Sequence, residues 1–182
     1  MTAKGNRLLG FIKRNLHGCT EDINDLAYRP LVRPTLEYCA AVWDPHTADQ
    51  IYQIEAIQRR AARFVNRDYD RRSSVSTMIE DLNWRTLAER RKITRMSVFQ
   101  KSYEGYLSIP VRTYTAAPVQ TLHQETTRRS HTKSFIELHS SKDCFKYSFI
   151  PRTLIDWNNL PQHIINIEEP KAFIQQLQNH FQ

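Results

Sequence analysis

Residues 48 to 67, ADQIYQIEAIQRRAARFVNR, constrain this chain more than any other stretch. Ile51, Ile54, Ile57, Ala61 and Phe64 recur at helical spacing and form one apolar stripe. Arg59, Arg63 and Arg67 fall in a separate i, i+4 row. The segment therefore predicts a helix with one face in a core and another presenting guanidinium groups, which match the oxygens of a phosphate in a two-pronged geometry. Thr47 followed by Gln50 supplies a capping box for its start.

The same grammar recurs on both sides. Leu8, Leu9, Ile12 and Leu16 mark a first amphipathic helix, with Gly18 placed to end it through a left-handed cap. Thr20 is placed to cap a second helix bearing Ile23, Leu26, Ala27 and Leu31, which Pro30 should kink or end early. Pro34 suits the first position of a short apolar helix through LEYCAAVW, stopped by Asp44 and Pro45. Ser73 or Ser74 can open a helix with Val75, Met78, Ile79 and Leu82. Thr86 with Glu89 opens a longer one that turns Leu87, Ile93, Met96, Phe99 and Tyr103 inward, carries the basic pair Arg91 and Arg95, and ends at Gly105.

Beyond Gly105 the texture changes. Residues 106 to 135, with Pro110, Pro118 and many threonines, read as loop and isolated short strands. FIELHSSKDCFKYSFI, residues 135 to 150, has the composition of a hairpin around Ser-Ser-Lys-Asp. A short helix is expected between Pro151 and Pro161, and a last one opens at Pro170 with Phe173, Leu177 and Phe181 inward. The predicted fold class is mainly α: a helical bundle over residues 1–105, then a smaller, irregular α+β segment over 106–182.

Charge points to a polyanionic partner. The net charge is +7, with a sequence pI near 9.5. Residues 1–105 hold 18 Lys and Arg against 13 Asp and Glu, a net of +5; the remainder holds 8 against 6, a net of +2. Three cysteines, Cys19, Cys39 and Cys144, leave no paired framework and suit a reducing intracellular compartment, nuclear or cytoplasmic. The longest apolar runs fall far short of the roughly 20 residues of a membrane span, and the amino terminus reads as an amphipathic helix, not a signal peptide.

Catalytic signatures are sparse. Asp68 and Asp70 resemble a metal dyad, yet two-metal chemistry needs several converging carboxylates, and these two have Arg67, Arg71 and Arg72 beside them. His17 with Cys19, and His139 with Cys144, lack the second half of a zinc site. Four glycines make no phosphate-binding loop, and no G-x-S-x-G elbow is present. No cofactor or metal is expected. Trp43, Trp84 and Trp157 sit in line with apolar neighbours and are expected in cores rather than on bases.

Five segments in order, LLGFIKRNL, LAYRPLVRPTLEYCAAVWDPH, IEAIQRRAARFV, SSVSTMIEDLNWRTLAERRKITRM and KYSFIPRTLIDWNNLP, resemble the region after the catalytic palm in reverse transcriptases of LINE-type, non-LTR retrotransposons of the jockey-like kind. The resemblance spans nearly the whole chain. It departs at Pro30, where a basic residue is usual in the family. The palm's Ala-Asp-Asp carboxylates, which hold Mg²⁺ in that family, are not in this sequence. The resemblance thus implies a thumb and C-terminal region that is not an enzyme by itself. It would grip the backbone of an RNA–DNA hybrid or template RNA without reading bases. By that analogy Arg59, Arg63, Arg67, Arg91 and Arg95 are the nucleic-acid-binding candidates, with Lys13 and Arg14 next. The alternative is a helical protein–protein interaction module, a remnant or repurposed protein, whose exposed apolar patch would meet the missing palm or another protein.

Overall fold

Helix α4, Ala48–Val65, is the element around which the first half of the chain packs. Its start is capped as expected: the Thr47 hydroxyl accepts the Gln50 N–H at 3.4 Å. Ile54, Ile57, Ala61, Ala62, Phe64 and Val65 are buried along it. The structure, a computed structural model, describes residues 1–109, 111, 131, 133–138 and 141–181. Those residues are mainly helical.

The chain divides into two compact units. Unit 1 comprises Met1–Cys39 and Pro45–Arg91, and unit 2 comprises Ala40–Asp44 and Lys92–Gln182. The division falls after Arg91 rather than at Gly105, where the texture of the sequence changes.

In unit 1, α1 (Thr2–Asn15), α2 (Glu21–Leu31), α3 (Arg33–Glu37) and α5 (Val75–Asp81) join α4 around one core. Leu9 and Ile12 of α1 are buried in it, and Gly5 lies so close to α3 that a Cβ there would stand 2.6 Å from Leu36 Cδ2. Small size, not backbone freedom, is what Gly5 contributes. Helix α1 ends at Leu16 without a glycine cap, so Gly18 does not play the expected role. Ser74, the second of the two candidate caps, accepts the Thr77 N–H at 3.4 Å to open α5. Asn83, in the left-handed region at φ 51°, closes the end of α5, a conformation asparagine tolerates better than most residues.

Helix α2 departs from the sequence expectation. It buries Asn24 and Tyr28 and leaves Ile23, Leu26 and Leu31 exposed. It also runs through Pro30 to Leu31. The missing N–H of Pro30 leaves a carbonyl on the solvent face, where water can take it. Helix α3 stops at Glu37, short of Trp43, and Cys39 follows with φ 55°.

Helix α6 (Leu87–Tyr103) opens on a true cap, with the Thr86 hydroxyl accepting the Glu89 N–H at 3.1 Å. Glu55 of α4 takes the next free donors, Leu87 N–H at 3.3 Å and Ala88 N–H at 2.8 Å, which satisfies orphan groups of a helix start. Gly105, at φ 85°, follows its end as expected.

Unit 2 gathers Ile93, Met96 and Phe99 of α6 with α7 (Asp143–Lys146), α8 (Phe149–Asn158), α9 (Gln162–Ile165) and α10 (Pro170–His180). Trp157 is its largest fully buried side chain, tilted against Phe99 at 5.0 Å and Phe173 at 5.9 Å. The Glu169 carboxylate caps α10 through Lys171 and Ala172 N–H groups, which hold its pKa below the usual value.

The hairpin expected over 135–150 is not what forms: residues 143–146 and 149–150 are helical. Pro151, which suggested a helix boundary, instead occupies the first turn of α8, where its absent N–H has no intrahelical partner to lose. Most of the loop and strand reading for 106–135 lies outside the described residues.

Candidate nucleic-acid interface

The C-terminal half of α4 and the loop after it form one basic corner of unit 1. Arg63, half-buried, turns back and donates from Nη1 to the carbonyls of Asp68 at 3.4 Å and Asp70 at 2.6 Å, and from Nη2 to that of Ser73 at 3.3 Å. The guanidinium thus fastens residues 68 to 73 to the helix. Asp68 and Asp70 help from within: Asp68 accepts the Asp70 N–H at 2.9 Å, and Asp70 accepts the Arg72 N–H at 3.0 Å. The Ser73 hydroxyl and the Asp70 N–H, with Arg63 nearby, hold the Asp68 carboxyl below its ordinary range. These two aspartates shape a turn. Among the described residues no cluster of His, Cys, Asp and Glu is arranged to hold a metal ion.

The loop so held presents Tyr69, 61% exposed, between Arg67 and the exposed Arg71 and Arg72. Lys13 of α1 stands over two rings, 5.6 Å from the Tyr69 centroid and 5.9 Å from that of Phe64, in cation–π geometry. Burial, and next the charge of Arg60, lower the Lys13 pKa. Lys13, Arg60, Arg63 and the ring of Tyr69 are therefore neighbours. Between positions 59 and 72 six arginines face two aspartates, and both aspartates are occupied within the loop.

The expected arginine row is split. Arg59 is exposed but lines a different cleft, of about 470 Å³, beside Glu55, Glu80 and Glu89. Arg67 lies beyond the end of α4, in the left-handed region at φ 52°, so it belongs to the corner through the loop and not through helical periodicity. Arg14 is exposed and folds along its own helix, with Nη1 3.5 Å from the position a Cβ on Gly10 would take.

Arg91 and Arg95 require correction as phosphate candidates. Arg91 is 1% exposed, with its guanidinium 4.0 Å from the Glu55 carboxylate. Arg95 is 2% exposed and clamped between Asp44 and Asp156. A buried guanidinium held by carboxylates cannot reach a duplex, and its own desolvation is compensated only while those partners remain. In unit 2 Arg95 ties Ala40–Asp44 to α8, assisted by Arg152, which donates to the Asp44 carbonyl at 3.2 Å. The i, i+4 spacing of Arg91 and Arg95 was visible in the sequence; the acids that bury them come from distant positions.

Two residues of the corner escaped sequence reasoning, Arg60 and Tyr69. Arg60 falls outside the i, i+4 row. Tyr69 had a usable signal, an aromatic interleaved among arginines in NRDYDRR. Of the tryptophans, Trp84 and Trp157 are buried as expected, whereas Trp43 is exposed.

Fold and corner together define a mainly helical protein with an exposed basic, aromatic-bearing surface on its first unit. No family model, no curated protein and no solved structure matches the chain.

Proposed function

We propose that this chain is a non-catalytic nucleic-acid-binding piece of an RNA-directed DNA polymerase of the LINE type, which holds the backbone of an RNA–DNA hybrid or template RNA through the corner built by Lys13, Arg60, Arg63, Arg67 and Tyr69. The observation that carries the reading is the grouping itself. Lys13 on α1, the end of α4 and an arginine-fastened loop converge on one exposed surface, with a ring available for stacking. Backbone recognition needs cations grouped at fixed positions, which is what the corner offers. The resemblance of the five ordered segments supplies the polymerase context. A reducing intracellular compartment goes with this reading, and the three cysteines are free thiols. Among the described residues no helix is long and apolar enough to cross a membrane.

One test is direct. Purified chain given primer, template, dNTPs and Mg²⁺ should bind the primer–template hybrid without extending the primer. Metal-dependent extension by a preparation free of other polymerases would overturn the non-catalytic reading.

A second reading, a protein-interaction module, is favoured by α2. Leu26 is 70% exposed, with Ile23 and Leu31 also outward, so α2 carries an apolar face that unit 1 does not cover. By the resemblance its occupant is a catalytic palm. Co-purification of a stoichiometric complex with a separately expressed palm, lost in Leu26→Gln, favours this reading.

A further inference from the structure

Unit 1 holds a second basic site made of other residues. A cleft of about 180 Å³ is lined by Arg29, Arg33, Arg85 and Arg90, with Tyr28 and Trp84 on its wall. Among the described residues no carboxylate lines it. Asp25 and Glu37 pair with residues of its lining. Asp25 accepts Arg29 Nε at 2.8 Å and the Trp84 indole N–H at 3.0 Å, whereas Glu37 holds Arg90 and lies 3.9 Å from Arg33 Nε. Those acids orient Arg29 and Arg90.

Arg85 differs from the others. Its Nη1 is closed off from solvent and has no hydrogen-bond partner. A buried charged donor without an acceptor is costly, and native structures seldom carry one without an occupant or a role. The wall that holds it is tied into the core. Tyr28 and Trp84 stack at 4.3 Å with 22° between their planes. The Tyr28 hydroxyl donates to Gln58 Oε1 at 3.3 Å, and Gln58 Nε2 donates to the Arg85 carbonyl at 2.8 Å. The backbone of Arg85 is thereby fixed to the core. Arg33 is the second cation of the cleft, only loosely paired with Glu37 at 3.9 Å: burial, then repulsion from Arg90, lowers its pKa, as expected of a guanidinium crowded by like charge.

We propose that this cleft binds a phosphate dianion, carried by a small monoester or by the terminal phosphate of a nucleic acid, with Arg85 and Arg33 as its principal donors. Planar guanidinium forks match tetrahedral oxyanions in geometry and charge. A cleft of this volume takes a phosphate group and not a duplex. The proposal uses none of the corner residues, so it stands or falls separately from backbone gripping.

The test is thermal melting of the full chain against inorganic phosphate, with ionic strength held constant by sodium chloride. A ligand that binds only the folded state raises the midpoint in a saturable way. Wild type should show that rise. Arg85→Met and Arg33→Met should each need about tenfold more phosphate or more for the same shift, the loss expected for one charge-assisted hydrogen bond. Arg85→Met should fold, because it removes a guanidinium whose buried Nη1 has no hydrogen-bond partner and keeps the length of the side chain; Arg59→Met, outside the cleft, should respond as wild type does. A wild-type midpoint indifferent to phosphate at constant ionic strength would overturn the proposal, as would equal responses from wild type and both cleft variants. A second arm compares hybrids with and without a 5′-phosphate. Tighter binding of the phosphorylated hybrid by wild type but not by Arg85→Met assigns the anion to a nucleic-acid end. Equal binding, alongside phosphate stabilisation, assigns it to a small monoester.

Discussion

Arg63 and Arg67 sit four positions apart and carry the same charge, yet their environments give them different roles. Arg63 fastens three carbonyls of the loop. Arg63→Ala should therefore cost about 1.5–3 kcal/mol, the range for hydrogen bonds to a charged donor, although alanine suits a helix well. Arg67 is in the left-handed region at φ 52°, which costs a non-glycine residue about 1–2 kcal/mol. Arg67→Gly should leave stability unchanged or raise it by up to about 1 kcal/mol. Urea unfolding of both variants checks the pair, and equal losses from both would contradict these roles. His131 provides the corresponding case in unit 2. Its Nε2 lies 2.9 Å from the Trp157 carbonyl, and its Nδ1 accepts the Lys133 N–H at 3.2 Å, so the folded state holds a neutral ring with both nitrogens satisfied. Burial lowers its pKa, against the pull of the Trp157 carbonyl, below the ordinary value of 6.5. The unfolded chain then takes up this proton at higher pH than the folded one. The contribution is complete above 6.5, declines as pH falls from there to the depressed folded value, and is constant below it. His131→Gln should flatten the pH dependence of the urea midpoint in that window, and an unchanged slope would show that His131 does not couple to folding.

At the level of elements, the most legible features were those whose signal is local. Thr47, Ser74 and Thr86 each bond helix-start N–H groups as short-range spacing predicts, whereas Thr20 sits at the N-cap of α2 without a side-chain bond. The inward stripe of α4 was equally legible, and Phe64, 4% exposed, sits in the core. Phe64→Ala should cost about 3–5 kcal/mol. In α2 apolar periodicity alone points Ile23, Leu26 and Leu31 to the core, yet all three are exposed. The structure chooses Tyr28, whose ring stacks on Trp84 and whose hydroxyl reaches Gln58. Those partners lie 56 and 30 positions away, out of reach of any window along the chain. Leu26→Gln should accordingly change stability by less than about 0.5 kcal/mol. Chemical denaturation of the two variants tests both faces, and a large loss in Leu26→Gln would mean that α2 is turned the other way. The candidate site divides along the same line. The charge of α4 was legible, but the burial of Arg91 and Arg95 depends on Glu55, Asp44 and Asp156, which only the fold brings to them.

For the whole molecule, the proposed grip on the nucleic-acid backbone falls to one corner of unit 1, apart from the phosphate cleft of Arg33 and Arg85. Each backbone phosphate neutralised by that corner releases condensed counterions, so log affinity should fall with log salt at a slope of about −0.9 per contact on a B-form duplex, with an RNA–DNA hybrid only roughly similar. The decisive measurement is a titration of the full chain with an RNA–DNA hybrid at several salt concentrations, comparing wild type with the triple variant Lys13→Ala, Arg60→Ala, Arg67→Ala. These three leave the Arg63 staple in place, and circular dichroism on the same samples establishes that the variant is folded. The variant's slope should be shallower by up to about three contacts' worth, with affinity lost about equally for hybrids of unrelated sequence, because backbone contacts carry no base information. A folded triple variant that binds the hybrid with unchanged affinity and unchanged slope would contradict the proposed grip.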